Sequence, residues 1–306
     1  MTAVESEQAE SARPADPPSE EPAPKPAAKP AVPPAPSAGS IVGGLGIGVS
    51  LLALLVLGFA GFLYFLSGVQ EARQQTTMYA TLRGELGQAT APLNSPKPGT
   101  PMAILNIPAI GLYNEVVVQG TSPENLELGP GHLRDTPLPG EAGVSVLYGR
   151  RASFGAPFGR VPRLAPGDEI LVTTGQGVAK YQVKIVGDSR DRILVNPAPN
   201  QLMLLTADSD LIPSHYIEVD ATLVSTTETD ARSTAVTPSE VALGNDPNAL
   251  ILCMAWGLAL VIVSVVGTVA ASRWAKWPAY MVVVPIALAV VWNLYANIAA
   301  LLPNLY

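Results

Sequence analysis

Apolar positions along this chain fall into two regimes. In residues 41–66, 250–271 and 279–302 they run on without a charged side chain, each run meeting the roughly 20 residues that a helix needs to cross about 30 Å of hydrocarbon. Each run predicts a membrane-spanning helix, and the last two form a hairpin about a short polar hinge, SRWAKWP. Between them the pattern changes to short β-prone runs broken by Gly and Pro, at residues 103–107, 115–119, 144–148, 169–173, 180–186, 202–206 and 216–224. That many short strands in roughly 125 residues predicts a barrel or a sandwich. Residues 158–164 predict a short helix between strands.

The segments around these elements are polar. Residues 70–88 contain good helix formers and extend the first apolar helix, until Pro92, Pro96, Pro98 and Pro101 force an extended linker. Residues 1–40 are mostly Pro, Ala, Glu and Ser, too poor in apolar surface to offset chain entropy. They predict a disordered tail, either a spacer or a ligand for a proline-recognising domain. The expected organisation is a cytoplasmic tail at 1–40, a first transmembrane helix at 41–66 and an extracytoplasmic helix and linker at 67–99. A β-barrel domain at 100–226 and a linker at 227–247 follow, then transmembrane helices at 248–271 and 279–302 about a cytoplasmic hinge at 272–278.

Charge sets the expected orientation. Arg273 and Lys276 lie in the hinge, which places it in the cytoplasm and residues 70–245 outside a multi-pass plasma-membrane protein. Lys25 and Lys29 agree with an inside N-terminus, while Arg73 and Arg83 weaken the contrast. About forty polar residues precede the first apolar run, so it reads as a retained anchor rather than a cleaved signal peptide. A net charge of −7 argues against nucleic acid as a partner. The single cysteine, Cys253, lies in the second apolar run, so neither a disulfide framework nor a cysteine metal site is expected, and no cofactor is.

Four segments carry a family resemblance: MAILNIPAIGL (102–112), LELGPGHLRDTPLPGEAG (126–143), FGAPFGRVPRLAPGDEILV (154–172) and LMLLTA (202–207). In this order they resemble the class E sortases of actinobacteria. The resemblance implies a mainly β fold, a closed eight-stranded sortase-type barrel outside the membrane, joined to the three transmembrane α-helices. It also implies a cysteine transpeptidase, which cuts a sorting signal in a secreted protein and joins it to the cell wall or a pilin. Such chemistry needs a thiolate, a His that protonates the leaving amine and an Arg that stabilises the oxyanion or positions the peptide.

At the positions that the resemblance assigns to these groups, the residues differ. Ala207 stands where the thiol belongs, after Leu202 to Thr206; Arg150, in Gly149-Arg150-Arg151, stands where the His belongs; Tyr216, preceded by His215, stands at the Arg position to within one residue. Alanine is no nucleophile, and a guanidinium with a pKa above about 12 shuttles no protons near neutral pH. The resemblance therefore implies a pseudosortase with no catalytic residues.

Competing readings of single residues stay open at this point. Ser209, with Asp208, Asp210 and His215 nearby, makes a Ser-His-Asp relay conceivable, against an ordinary solvated turn. Arg150, Arg151, Tyr216 and His215 are candidate groove residues for a peptide carboxylate, against surface ion pairing. His132 is expected to hydrogen-bond within a loop. Gly44 with Gly48, and Asn293 with Asn297, suit helix–helix contacts, and Trp274 and Trp277 suit interfacial anchoring. The expected function is a non-enzymatic scaffold, assembly factor or regulator that binds other envelope or membrane proteins, including peptide segments resembling sorting signals. The alternatives are a divergent transpeptidase or hydrolase of cell-surface proteins, and an accessory subunit of a transport or secretion complex.

Overall fold

The computed structural model describes residues 38–92, 96–189, 200–210, 213–225, 236–273 and 276–306. The tail up to residue 37 with Lys25 and Lys29, residues 226–235 of the expected linker, and Trp274 lie outside the described residues. Residues 1–51 and 52–306 form two compact units. In the first, the described part is helical from Ala38 and carries Gly44 and Gly48.

Helix α1 (Ala38–Gly61) passes through a π-helical turn, Phe62–Leu66, into α2 (Ser67–Gly87). Three helical stretches, Gly48–Gly87, Ala249–Arg273 and Trp277–Ala299, are long and apolar enough to cross a membrane. The last two belong to α4 (Ala249–Arg273) and α5 (Lys276–Ala299), which pack together, a Cβ at Gly267 falling 2.7 Å from Val283. Gly58 lets α5 approach α1 closely: the Tyr295 hydroxyl donates to the Leu55 carbonyl at 2.8 Å and would lie 2.5 Å from a Cβ at residue 58. The amides of Asn293 and Asn297 donate to Ala289 and Asn293 carbonyls, four residues back in their own helix, rather than to another helix.

The β-strands are β1 (Pro101–Ile107), β2 (Leu112–Gln119), β3 (Gly131–His132), β4 (Val144–Tyr148), β5 (Glu169–Thr174), β6 (Gly177–Asp188), β7 (Gln201–Ala207) and β8 (Tyr216–Leu223). They close into one barrel in the order β1-β2-β3-β4-β7-β8-β6-β5, with parallel pairing only at β2–β3 and β4–β7 among the described residues. The two-residue β3 left no hydrophobic pattern in the sequence. The expected helix at 158–164 is a single 3-10 turn, Val161–Arg163. Alternate residues point inward, among them Leu105, Leu147, Ile170, Val172, Leu202, Leu204 and Val219, and form the barrel core. A one-turn helix, α3 (Pro123–Leu126), sits between β2 and β3.

Helix α2 docks on the barrel through Gln75. Its side-chain oxygen accepts from the Val116 N–H at 2.8 Å, and its nitrogen donates to the carbonyls of Val116 at 3.0 Å and Leu128 at 2.8 Å. The amide thus serves β2 as a neighbouring strand would.

Candidate functional site

Parallel pairing of β4 with β7 sets their C-terminal ends side by side, with Tyr148 opposite Leu205, and antiparallel pairing of β8 sets Tyr216 opposite Ala207. Gly149 continues the ladder by donating to Leu205 O at 3.0 Å. Positions 150, 207 and 216 therefore share one end of three adjacent strands. On β7, Leu202 and Leu204 enter the barrel core, whereas Met203, Leu205 and Ala207 face outward. With Val146 and Tyr148 they make an apolar floor on the outer face of the barrel.

Residues 105–224 match the family model described as the sortase domain. The barrel has the sortase fold. Among curated proteins the chain is similar to Sortase D of Bacillus subtilis (strain 168), at 29% identity over 143 residues, 46% of this chain. The chain spans only 64% of the length of that relative. Among solved structures it is similar to the sortase D5 transpeptidase of Clostridium perfringens, with TM-score 0.44 and 21% identity over 50% of this chain and 99% of that one. It is also similar to sortase E of Streptomyces avermitilis, with TM-score 0.37 and 30% identity over 42% of this chain and 91% of that one. Helices α4 and α5 lie beyond the residues that match the sortase domain.

In this sortase barrel, Arg150 is wholly buried. Its Nη1 donates to Ser153 Oγ at 3.3 Å, its Nη2 to Pro123 O at 3.1 Å, and its guanidinium lies 4.7 Å above the Phe154 ring. Burial lowers its pKa to about 10, against the opposing pull of Glu127, so it stays cationic at neutral pH. Gly149 before it is required: a Cβ there would sit 2.2 Å from the Phe158 ring. The expectation that Arg150 lines a groove and meets a peptide carboxylate is corrected by this burial: the side chain ties the loop after β4 to α3. Arg151 pairs with Asp210 through Nε and donates to Ala207 O at 3.1 Å, which is the ion-pairing alternative.

Ala207 has no solvent exposure. It lies in an apolar cluster with Leu126, Val146, Tyr148, Leu205 and Leu305, against which Tyr216, Leu133 and Ala242 pack. Leu305 follows α5, in a stretch that the sequence pattern gave no reason to place on the barrel. It is also wholly buried, and its carbonyl accepts from Arg151 N at 3.0 Å. Burying such a side chain contributes about 1.5–3 kcal/mol. The neighbouring rim is built by Pro238–Glu240, a 3-10 turn with a Thr237–Glu240 capping box. Glu240 is buried, yet bonds from Arg134 and Thr237 outweigh desolvation and hold its carboxyl below the usual range.

Of the residues in the Ser-His-Asp alternative, His215 and Asp208 lie close together. The hydroxyl on the His215 ring is that of Ser214, 2.8 Å from Nδ1, and the nearest Asp208 oxygen is 3.8 Å from the same nitrogen. In a relay the nucleophile and the carboxylate occupy opposite ring nitrogens; here both sit at Nδ1, and Ser214 also bonds Asp208 directly. Tyr216, the other expected binding residue, lines a cavity of about 130 Å³ with Glu218, Asp220, Asp188 and Ile185. Burial and mutual repulsion raise the Glu218 carboxyl, and burial raises that of Asp220.

His132 Nε2 donates to Pro137 O at 2.9 Å while Nδ1 meets the Gln119 side-chain amide at 2.9 Å, and burial lowers the ring's pKa to about 4. It is a neutral strut within the loop network. Among the described residues, no group of three or more His, Cys, Asp or Glu side chains is arranged to hold a metal ion.

Proposed function

We propose that this protein is a non-catalytic, membrane-anchored member of the sortase type, of the class E kind, that binds other cell-envelope proteins as a scaffold, assembly factor or regulator. The reading rests above all on residue 207: at the end of β7, where the resemblance assigns the attacking thiol, the chain carries an alanine sealed from solvent. The residue assigned to proton transfer, Arg150, is supported in a structural role by its burial and its bonds to Pro123 and Ser153. The chain's cysteine, Cys253, sits in α4. The hinge charges Arg273 and Lys276 favour a cytoplasmic hinge and an extracytoplasmic barrel.

Two experiments test this. The purified full chain, in detergent, incubated with fluorogenic sorting-signal peptides and an amine acceptor, is expected to give no cleavage or transfer above a protein-free control. Turnover that Ser209→Ala abolishes would establish an enzyme instead. Affinity capture of the intact protein from its own membranes is expected to recover envelope proteins that disappear when residues 100–226 are deleted. Partners retained without the barrel would move the function to the helices.

A further inference from the structure

We infer that the outer groove at Ala207 is a peptide-binding surface occupied in cis by residues 304–306, so that the placement of α5 governs whether the groove is open. This rests on the reading of the groove as a binding site rather than a catalytic one.

The contacts of this segment are those of a bound peptide: main-chain bonds at the rim and one side chain in a pocket. Arg151 N donates to Leu305 O at 3.0 Å, Ser153 Oγ to Tyr306 O at 2.7 Å, and Asn304 N to Gly244 O at 2.9 Å. The Asn304 amide reaches the carbonyls of Ser239 at 2.5 Å and Val241 at 3.0 Å. Leu305 fills the apolar pocket over Ala207 and Leu205, and the Tyr306 hydroxyl meets that of Tyr64 at 2.8 Å. Both sides of the pocket are thus specific: an amide clamp for the residue before, an apolar socket for the leucine, and a hydroxyl contact after it.

The occupant is tethered. Helix α5 ends at Ala299, and the short run 300–303 carries Asn304 to the rim. A tether this short gives the segment a high effective concentration at the groove, so a free segment of the same chemistry competes poorly while α5 stays in place. Movement of α5 away from the barrel withdraws Leu305 and exposes the socket to a partner's extended, leucine-bearing segment.

The test uses the full chain in detergent micelles and a fluorescein-labelled, C-terminally amidated peptide of residues 300–306. The wild type is expected to bind this probe weakly, and the Leu305→Glu variant about tenfold or more tightly, since a cis occupant reduces apparent affinity by the unoccupied fraction. A probe with Glu at the position of Leu305 is expected to bind neither. Equal binding to both proteins, or none to a variant with unchanged near-UV circular dichroism, overturns the inference. A second measurement needs only a mild change. In an Ala207→Cys, Cys253→Ser chain, maleimide labelling at residue 207 is expected to be slow with Leu305 and faster with Leu305→Ala; equal rates overturn the inference. Cleavage of the probe would overturn the non-catalytic reading while leaving cis occupancy standing, so the two failures are distinguishable.

Discussion

Leu305 and Ala207 are both wholly buried and share one apolar cluster, which joins the segment after α5 to the end of a barrel strand. Alanine leaves at this strand end a shallow socket lined by the apolar cluster, and the leucine completes it. The same surface is tied to the loop after β4 by Arg151 and Ser153, so one end of the barrel is a joint within the molecule.

Leu305→Ala removes buried methyl groups from that joint and is expected to cost about 2–5 kcal/mol, as for other large-to-small core changes. Denaturation of the micelle-bound chain followed by tyrosine and tryptophan fluorescence reads this loss. A change below about 0.5 kcal/mol, the range of ordinary surface substitutions, would contradict the packing.

Arg150 is buried with bonds to Ser153 and Pro123 and a face on Phe154, and its Nε has no hydrogen-bond partner among the described residues. Arg150→Ala is expected to destabilise by roughly 1–3 kcal/mol through the unsatisfied groups left behind. Arg150→Lys is not expected to restore the loss, because an ammonium cannot reproduce a planar group that stacks and donates in two directions. Arg150→Met, which keeps the volume and removes a buried charge, is expected to be milder than alanine. Thermal midpoints of the three variants in one detergent decide the order.

Glu127 supplies a pH dependence. Burial raises its carboxyl to about 7, with Arg150 opposing and Glu124 reinforcing the shift. Folding therefore favours the protonated form: the contribution to stability is full below about 4.5 and is lost as pH rises through about 7. Glu127→Gln removes this loss, so the variant's midpoint should exceed that of the wild type by a margin that grows over this interval. A constant margin would contradict the raised value.

Gln75→Ala breaks three bonds between α2 and the barrel and leaves Val116 N–H and two carbonyls without that partner. A loss of roughly 1–3 kcal/mol is expected. Hydrogen exchange should quicken at Val116, whose N–H bonds the Gln75 oxygen, more than at Val172 in the interior of β5. Uniform quickening would show that the bond does not act locally.

Much of the fold was legible because its signals are local. An uncharged run of membrane-spanning length needs no partner to be read, and the 144–148 run became β4 without change of bounds because alternation and β-branched residues coincide there. β3 was not legible: two residues, Gly131 and His132, pair with β2 and β4 only because the barrel closes around them.

The chain by itself determined the three apolar helices, the β-rich middle and the identities of residues 150, 207 and 216, since these are matters of composition, periodicity and order. Only the tertiary structure decided that Arg150 is buried rather than presented in a groove, that His215 meets Ser214, and that Leu305 covers Ala207. The reason is physical. Burial and pairing depend on which distant segments arrive at a surface, and the residues after α5 carry no pattern that points to the end of β7. Their place is set by the packing of α5 on α1 and of α2 on the barrel, which brings Asn304 and Leu305 to a rim that other segments have already built.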